Sequence, residues 1–264
     1  MATLLLVHAH PDDESISTGG AMLRAHQDGH RVVLVTGTRG EEGEIHNLDE
    51  ATTRPRLAEV RTEELRAACE VLGVDRQEFL GYRDSGMDGT PANDDPASFH
   101  QAPLAETAER LAEILREERP DVVVTYTPDG TYGHPDHVKA HRTTLAALDR
   151  LRDEGWRPRR LYLQAISQST VRELAERFSE FEGQSEIRLI GVPDEDITTR
   201  LDVRDVAAGK LQALECHRSQ MDQSSPFATM ARQVLEAVLG WETYILVGAP
   251  GGPAETTRSL VDEP

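Results

Sequence analysis

Short runs of apolar residues alternate with longer polar segments along the first half of the chain. Residues 3–7, 31–36 and 122–125 are each almost continuously apolar, and residues 78–80 form a shorter run. Such runs are typical of strands that are covered on both faces in a parallel sheet. We therefore predict four buried strands in this half of the chain.

Between these runs, apolar residues recur at spacings of three and four, which is the periodicity of an amphipathic helix. The pattern predicts helices over residues 18–29, 56–72, 103–119 and 135–151. Strands that alternate with helices build a parallel sheet with helices on both faces. We predict an α/β fold, a Rossmann-like three-layer sandwich with a mostly parallel sheet, whose active site lies at the carboxyl ends of the strands.

The second half of the chain has a weaker pattern. It predicts strands over residues 161–163, 197–203 and 241–247 and helices over residues 171–178 and 206–217. No low-complexity linker divides the chain, so residues 1–248 are predicted to form a single domain. Residues 249–264 are rich in Gly, Pro and acidic side chains, and we expect this tail to be disordered or loosely packed.

Charge narrows the classes of partner. The 264 residues include 47 acidic and 28 basic side chains, a net charge of −19. Because this balance repels phosphate backbones, we expect neither nucleic acid nor an anionic membrane as a partner. No apolar run has the length of a membrane span and no secretion signal precedes the first strand, so a cytoplasmic location is expected. Cys69 and Cys216 lack metal-ligand or redox spacing and are expected to be reduced, buried thiols.

Metal-competent side chains gather where two of the predicted strands end. His10 and Asp13 follow the first strand in a turn, because Pro11 between them cannot donate to a strand ladder. A second cluster, residues 132–137, follows the strand at 122–125 and repeats the His-Pro-Asp order. An imidazole and a carboxylate suit a zinc-like ion, and a catalytic zinc has three protein ligands and an open position. The two clusters together predict one metal site.

These motifs resemble the LmbE/PIG-L-like zinc deacetylases. That family has a His-Pro-Asp-Asp-Glu turn near the amino terminus, as at residues 10–14, and a His-Pro-Asp-His turn near mid-chain, as at residues 134–137. Residues 40–44, 83–87 and 132–137 further resemble the mycothiol-pathway members, which act on N-acetylglucosaminyl-inositol. The resemblance covers residues 4–148 and, more loosely, the sequence His-Arg-Ser-Gln that begins at His217.

The residues and the resemblance together indicate a metal centre. His10, Asp13 and His137 are the candidate ligands, for zinc or alternatively ferrous iron. Asp12 leaves the turn in a different direction from Asp13 and is the candidate general base. The remaining catalytic roles fall to His134 as general acid or oxyanion partner, to Tyr132, which polarises the carbonyl in this family, and to Asp136, which is expected to orient His134.

The resemblance also implies a small-molecule substrate that bears N-acetylglucosamine. It implies that Arg61 and Asp84 bind the hydroxyl groups of the sugar. Glu44 lies in the acidic loop after the second strand, where a polyol would sit, and is a further candidate for substrate binding. His217 is either a border of the pocket or a satisfied surface histidine.

Other interpretations use the same residues differently. A mycothiol S-conjugate amidase would cleave a cysteinyl amide with the same centre. A nucleotide-binding α/β module is disfavoured, because no G-x-G-x-x-G or phosphate-binding loop follows the first two strands. A metal-binding protein without catalysis is disfavoured by the presence of Asp12 and His134. His141 is not expected to be a ligand, and His8 is expected to be a packed residue behind the ligands.

Overall fold

The computed structural model describes residues 1–178, 189–221, 239–249 and 253–261. The strands are β1 Thr3–His8, β2 Arg31–Thr38, β3 Arg76–Tyr82, β4 Val122–Tyr126, β5 Arg160–Gln164, β6 Thr199–Asp202, β7 Trp241–Leu246 and β8 Glu255–Thr257. The α-helices are α1 Asp13–Ser17, α2 Gly19–Gln27, α3 Glu50–Thr53, α4 Leu57–Leu72, α5 Leu104–Glu118, α6 Gly130–Gly133, α7 Pro135–Asp153, α8 Gln168–Phe178 and α9 Ala207–Cys216. Short 3-10 turns lie at Arg54–Arg56, Pro91–Asp94, Asp194–Asp196 and Arg218–Gln220.

The strands form one sheet in the order β3-β2-β1-β4-β5-β7-β6-β8. Pairing is parallel from β3 through β5, whereas β7 is antiparallel to both β5 and β6. The predicted α/β class and mostly parallel sheet are therefore confirmed. The predicted strands of the first half each lie within an observed strand.

Helices cover both faces of the sheet, as alternating side chains of the central strands require. Leu4 and Leu6 of β1 pack in one core cluster with α2, α4 and α9. Leu5 and Val7 point to the other face and pack with α5 and α7. These strand residues are fully buried. The three-layer arrangement follows directly from this two-sided burial.

The strand order reverses direction at the centre of the sheet, between β1 and β4. The chain leaves β1 toward α2 on one face, and it leaves β4 toward α7 on the other. In open α/β sheets such a switch point opens a crevice at the carboxyl ends of the strands, where ligands bind. Both histidine turns begin at this crevice.

The helix predicted over residues 18–29 is α2, Gly19–Gln27. The short helix α1, Asp13–Ser17, comes before it and was not predicted, and Thr18, with φ −138°, separates the two. The amino terminus of α2 is capped from a distant strand. The amide N–H groups of Gly20 and Ala21 donate to the Glu242 carboxylate of β7 over 2.8 and 3.0 Å. Lys210 of α9 pairs with the same carboxylate at 2.7 Å. A buried charge is stable here because it is both paired and hydrogen-bonded.

The expectation of a loose tail is wrong for residues 255–261. Glu255–Thr257 is strand β8, which pairs in parallel with β6, and Leu260 and Val261 are buried in the core. The sequence of this segment is short and polar, as in a surface loop. Its hydrogen bonds to β6 are what make it a strand. The tail residues 250–252 and 262–264 lie outside the described part of the chain.

Both cysteines are unpaired thiols, of which Cys69 is buried as expected and Cys216 is half-buried. Burial raises the pKa of the Cys69 thiol well above its usual value. Within the ranges that the structure describes, no helix has the combination of length and apolarity needed to cross a bilayer.

The packing of the tail generates a stability prediction. Leu260→Ala should lower the free energy of unfolding by about 2–5 kcal/mol, because it leaves a cavity in a closed core. Arg258→Ala, two residues away, removes only an exposed pair with Asp205 and should change it by less than about 0.5 kcal/mol. Urea unfolding measures both. Equal, small effects would mean that the tail does not contribute to the core.

Candidate metal centre

The first histidine turn begins where β1 ends. Asp12 has φ 118° and ψ −31°, a conformation that side-chain-bearing residues rarely adopt, and α1 starts at the next residue. Two neighbours stabilise it: the Glu14 carboxylate accepts the Asp12 N–H at 2.8 Å, and Arg61 donates to the carbonyl of Pro11. Strained backbone of this kind persists only where its surroundings hold it, and it is common at functional sites.

The second turn begins after β4. His134 is the N-cap of α7, and its ring accepts the N–H of Asp136 at 3.1 Å. Pro135 occupies the first helical position, as predicted, since its missing N–H costs nothing there. His137 consequently lies in the first turn of α7, and its side chain is 2% exposed and points to the end of β1.

Asp13 connects the two turns. One of its oxygens, Oδ2, lies 3.4 Å from His10 Nδ1, and the other, Oδ1, lies 3.3 Å from His137 Nε2. Among the described residues, the metal-competent groups with ligand atoms within 4.8 Å of one another are His10 with His134 and His137, and His10 with Asp84 and Asp136. The structure thus brings the three predicted ligands together and adds His134 to the same cluster.

Hydrogen bonds indicate which ring nitrogens have a lone pair for an ion. His137 Nδ1 lies 3.1 Å from the carbonyl oxygen of Gly130, to which it can only donate, so Nε2 is the acceptor. His10 Nε2 faces the carboxylates of Asp84 and Asp136 at 3.5 and 3.4 Å and is their donor. Nδ1 is therefore the atom left for an ion, which would replace the proton on that nitrogen. Metal-bound histidines commonly donate their other N–H to a carboxylate or a carbonyl in this way.

The same argument places His134 outside the ligand set. Its Nδ1 accepts the amide proton of Asp136, so the neutral ring has its proton on Nε2 and no lone pair there. Burial and the neighbouring His10 and His137 lower the pKa of His134 to about 2, so the ring is neutral. A neutral imidazole with its proton on Nε2 is a hydrogen-bond donor at that atom.

The field of this cluster suits a cation. Burial lowers the pKa of His10, but the carboxylates of Asp84, Asp13 and Asp136 outweigh it and hold that pKa well above its usual value. Burial alone would raise the pKa of Asp13. The neighbouring His137 and His10 have the larger effect and hold that pKa well below its usual value, so Asp13 is ionised. Two imidazoles and a carboxylate form a donor set typical of zinc and of ferrous iron. The residues therefore fit the divalent ion that the sequence predicts.

Asp12 points away from this cluster. Its carboxylate pairs with Arg61 at 3.0 Å, and its side chain is 22% exposed, compared with 13% for Asp13. Burial raises the pKa of Asp12 to about 6, although Arg61 opposes the shift. Asp12 is therefore ionised at neutral pH and more basic than an ordinary carboxylate.

The other predicted catalytic residues differ in placement. The Tyr132 hydroxyl lies 3.4 Å from His137 Nε2, beside the cluster. Asp136 does hydrogen-bond to His134, through its backbone N–H and not through its carboxylate. The Asp136 carboxylate instead accepts both the amide and the hydroxyl of Ser85 and faces His10.

Two of the predicted substrate residues are buried within the site. Arg61 is 3% exposed and contacts Asp12 and the carbonyls of Pro11 and Gly40. Asp84, also 3% exposed, accepts the N–H of Gly86 and faces His10. The structure does not bring Glu44 into the cluster: its side chain is 86% exposed and pairs with His46.

Several residues of the site escape prediction from the sequence. Tyr126, the last residue of β4, donates to Asp13 Oδ2 at 2.8 Å. Of the two alternatives for His217, the surface histidine is wrong, since the side chain is fully buried and pairs with Glu14 at 2.7 Å. A place at the border of the pocket stays a prediction. The contacts of Tyr126 and His217 join positions 113 and 203 residues apart. The one signal in the sequence is the position of Tyr126, at the end of the apolar run that precedes the second cluster. His8 and His141 are buried outside the ligand groups, as expected.

Comparisons with known proteins identify relatives of this chain. The model of the family GlcNAc-PI de-N-acetylase (PIG-L) matches residues 5–148, which include both histidine turns. A 1D-myo-inositol 2-acetamido-2-deoxy-alpha-D-glucopyranoside deacetylase from Thermomonospora curvata is 43% identical over 273 residues, covering 95% of this chain and 92% of the relative.

Solved structures share the fold. N,N'-diacetylchitobiose deacetylase from Pyrococcus horikoshii has a TM-score of 0.63 at 21% identity and covers 93% of this chain and 84% of its own. A 4-carboxy-2-hydroxymuconate hydratase from Pseudomonas putida has a TM-score of 0.60 at 22% identity. The match covers 97% of this chain and 100% of the hydratase. The family match over more than half of the chain shows that this protein belongs to the GlcNAc-PI de-N-acetylase (PIG-L) family.

Proposed function

We propose that this protein is a zinc-dependent de-N-acetylase that removes the acetyl group from N-acetylglucosaminyl-inositol or a related glycoside. The observation that carries the proposal is the divergence of two adjacent carboxylates. Asp13 faces both His10 and His137, whereas Asp12 faces Arg61 and the exposed side. A hydrolytic metal site requires both a ligand and a separate base, and this turn supplies one of each.

The ion would be held by His10 Nδ1, Asp13 and His137 Nε2. Zinc fits the two imidazoles and one carboxylate, and ferrous iron is the alternative. When bound, such an ion lowers the pKa of a water molecule and polarises the acetamide carbonyl. The chain itself supplies the proton transfers and the hydrogen bonds that complete the reaction.

Asp12 is the group that moves the proton. Its carboxylate accepts a proton from the attacking water, for which a pKa of about 6 is well suited. The resulting carboxylic acid returns that proton to the nitrogen of the amide as the carbon–nitrogen bond breaks. The products are acetic acid and the free amine, which exchange one proton to leave acetate and the ammonium form of the amino sugar, and Asp12 is again a carboxylate. Arg61 holds Asp12 in place throughout.

His134 and Tyr132 act on the carbonyl oxygen. Of the two roles predicted for His134, its neutral ring supports the oxyanion partner, because its Nε2–H can donate to developing negative charge. The hydroxyl of Tyr132 is a second donor, beside His137. Donors that are already oriented stabilise a transition state without further rearrangement.

The substrate proposal rests on the relatives. The relative from Thermomonospora curvata is named as a deacetylase of an inositol N-acetylglucosaminide, and its identity extends over nearly the whole of this chain. The fold alone does not determine the reaction, since a hydratase shares it. Arg61 and Asp84 stay predicted sugar-binding residues, although their partners here are Asp12 and His10. Glu44 would have to turn from His46 to reach a sugar.

The different directions of Asp12 and Asp13 predict that the two substitutions differ in their effect on metal content. Asp12→Asn should retain the divalent ion and lose kcat/KM by about 10²–10⁴-fold, as expected when a general base is removed. Asp13→Asn should lose the ion as well. Metal analysis and amine release on the same preparations distinguish them. An Asp12→Asn variant without metal but with activity restored by excess zinc would reverse the two assignments.

The oxyanion role of His134 predicts a specific kinetic change. His134→Ala should lower kcat by about 10²–10³-fold with little change in KM, because the lost hydrogen bond forms in the transition state. His141→Ala removes a buried histidine on the same helix and should leave kcat nearly unchanged. If His134→Ala instead lost its metal, His134 would be a ligand.

The relative turnover of different substrates distinguishes a deacetylase from a mycothiol S-conjugate amidase. Turnover should be faster with N-acetylglucosaminyl-inositol than with free N-acetylglucosamine, since the inositol adds contacts outside the acetamide. Both should be hydrolysed far faster than a mycothiol S-conjugate. A side-by-side assay of amine release decides the order, and fastest cleavage of the S-conjugate would identify an amidase.

A further inference from the structure

Tyr126 lies at the centre of the contacts behind the proposed ion, and its role extends the proposed function on which it rests. It is the last residue of β4 and is 1% exposed. Its hydroxyl donates to Asp13 Oδ2 at 2.8 Å and accepts the N–H of Ala9 at 2.9 Å. One side chain therefore contacts a candidate ligand and the backbone next to another, His10.

The hydroxyl occupies one particular oxygen of Asp13. Oδ2 accepts both the Tyr126 O–H and the backbone N–H of His10, the latter at 2.9 Å. Oδ1 accepts neither, and it is the oxygen that faces His137 Nε2 at 3.3 Å. Oδ2 also lies 3.4 Å from His10 Nδ1, but its two donors occupy it. A carboxylate with one oxygen held in this way presents the other to an ion, so Asp13 is set as a ligand through Oδ1.

The hydroxyl is itself held in this direction. Its single proton goes to Asp13, which as a carboxylate has none to give. His8 Nδ1, 3.2 Å from the hydroxyl oxygen, must then be the donor, and His8 Nε2 accepts from Thr18 Oγ1 at 2.8 Å. Tyr126, His8 and Thr18 are buried, and the chain of bonds satisfies their polar groups.

The aromatic ring of Tyr126 acts on the third ligand. It stacks on the imidazole of His137, with ring centroids 4.2 Å apart and planes inclined by 27°. This contact and the bond from His137 Nδ1 to Gly130 fix the plane of the imidazole and the direction of Nε2. Rotation of His137 away from Asp13 would break both.

We propose that Tyr126 is the positioning residue of the metal centre, which sets Asp13 as a ligand through one oxygen and holds His137 in register with it. It touches neither substrate nor reacting atoms. Its effect should therefore appear in the affinity and geometry of the bound ion before any effect on chemistry.

Tyr126→Phe tests the proposal, because it removes the hydroxyl and keeps the ring. The affinity of the metal-free protein for Zn²⁺, measured by competition with a chelator, should fall by about 10–100-fold. The d–d spectrum of the Co²⁺-loaded protein should change as well, since the released Oδ2 can reach the ion. Tyr126→Leu, which also loses the stacking, should bind Zn²⁺ more weakly still.

Tyr244→Phe is the matched control. It also removes a buried phenol that donates to a carboxylate, here Glu242 at 2.7 Å, but it lies in β7, away from the ligands. It should lower the melting temperature of the metal-free protein about as much as Tyr126→Phe, with Zn²⁺ affinity and Co²⁺ spectrum unchanged.

The outcomes separate this inference from the proposed function. Wild-type affinity and an unaltered spectrum in Tyr126→Phe would overturn the positioning role and leave the metal centre standing. Equal losses of affinity in Tyr126→Phe and Tyr244→Phe would also overturn it, because they would reflect stability alone. A wild-type protein that binds no divalent ion would overturn the proposed function and this role together.

Discussion

The parallel pairing of β1 with β4 at the centre of the sheet is the constraint on which the rest of the structure depends. Leu4 to Leu6 of β1 align with Val122 to Val124 of β4, and both segments are buried. The connections that follow these strands leave on opposite faces, so the ends of the strands are open to a crevice. Two histidine turns more than a hundred residues apart in sequence therefore meet there.

This meeting concentrates charge that would be unfavourable elsewhere. Asp13, Asp84 and Asp136 surround His10, and Asp12 lies beside them in a strained conformation. Buried carboxylates without a compensating cation destabilise a fold, so their density here indicates selection for function over stability. The surrounding hydrogen bonds, from Arg61 to Asp12 and from Ser85 to Asp136, limit that cost.

The sequence predicts what depends on local pattern and misses what depends on pairing between distant segments. The runs that become β1, β2 and β4 are recognisable because strands buried on both faces are continuously apolar. The three proposed ligands are recognisable because each follows such a run in a proline-containing turn. Arg61 resembles an exposed helical charge, and only the backbone around Asp12 gives it a buried partner.

Contacts between distant segments also explain the features that the sequence does not predict. The antiparallel direction of β7 and the existence of β8 depend on neighbours in the sheet, which no periodicity shows. The pair of Glu14 and His217 joins the two ends of the chain, so neither residue alone suggests it. Tyr126 has the appearance of a core aromatic residue, and its second role arises only from where Asp13 and His137 lie.

The central claim is that a divalent ion binds at the switch point between β1 and β4, held by His10, Asp13 and His137. Anomalous diffraction at the zinc absorption edge, from crystals of the zinc-loaded protein, locates such an ion directly. The account predicts one strong peak within about 2.0–2.2 Å of His10 Nδ1, Asp13 Oδ1 and His137 Nε2. A peak among His10, Asp84 and Asp136, or bound directly to His134, would contradict it.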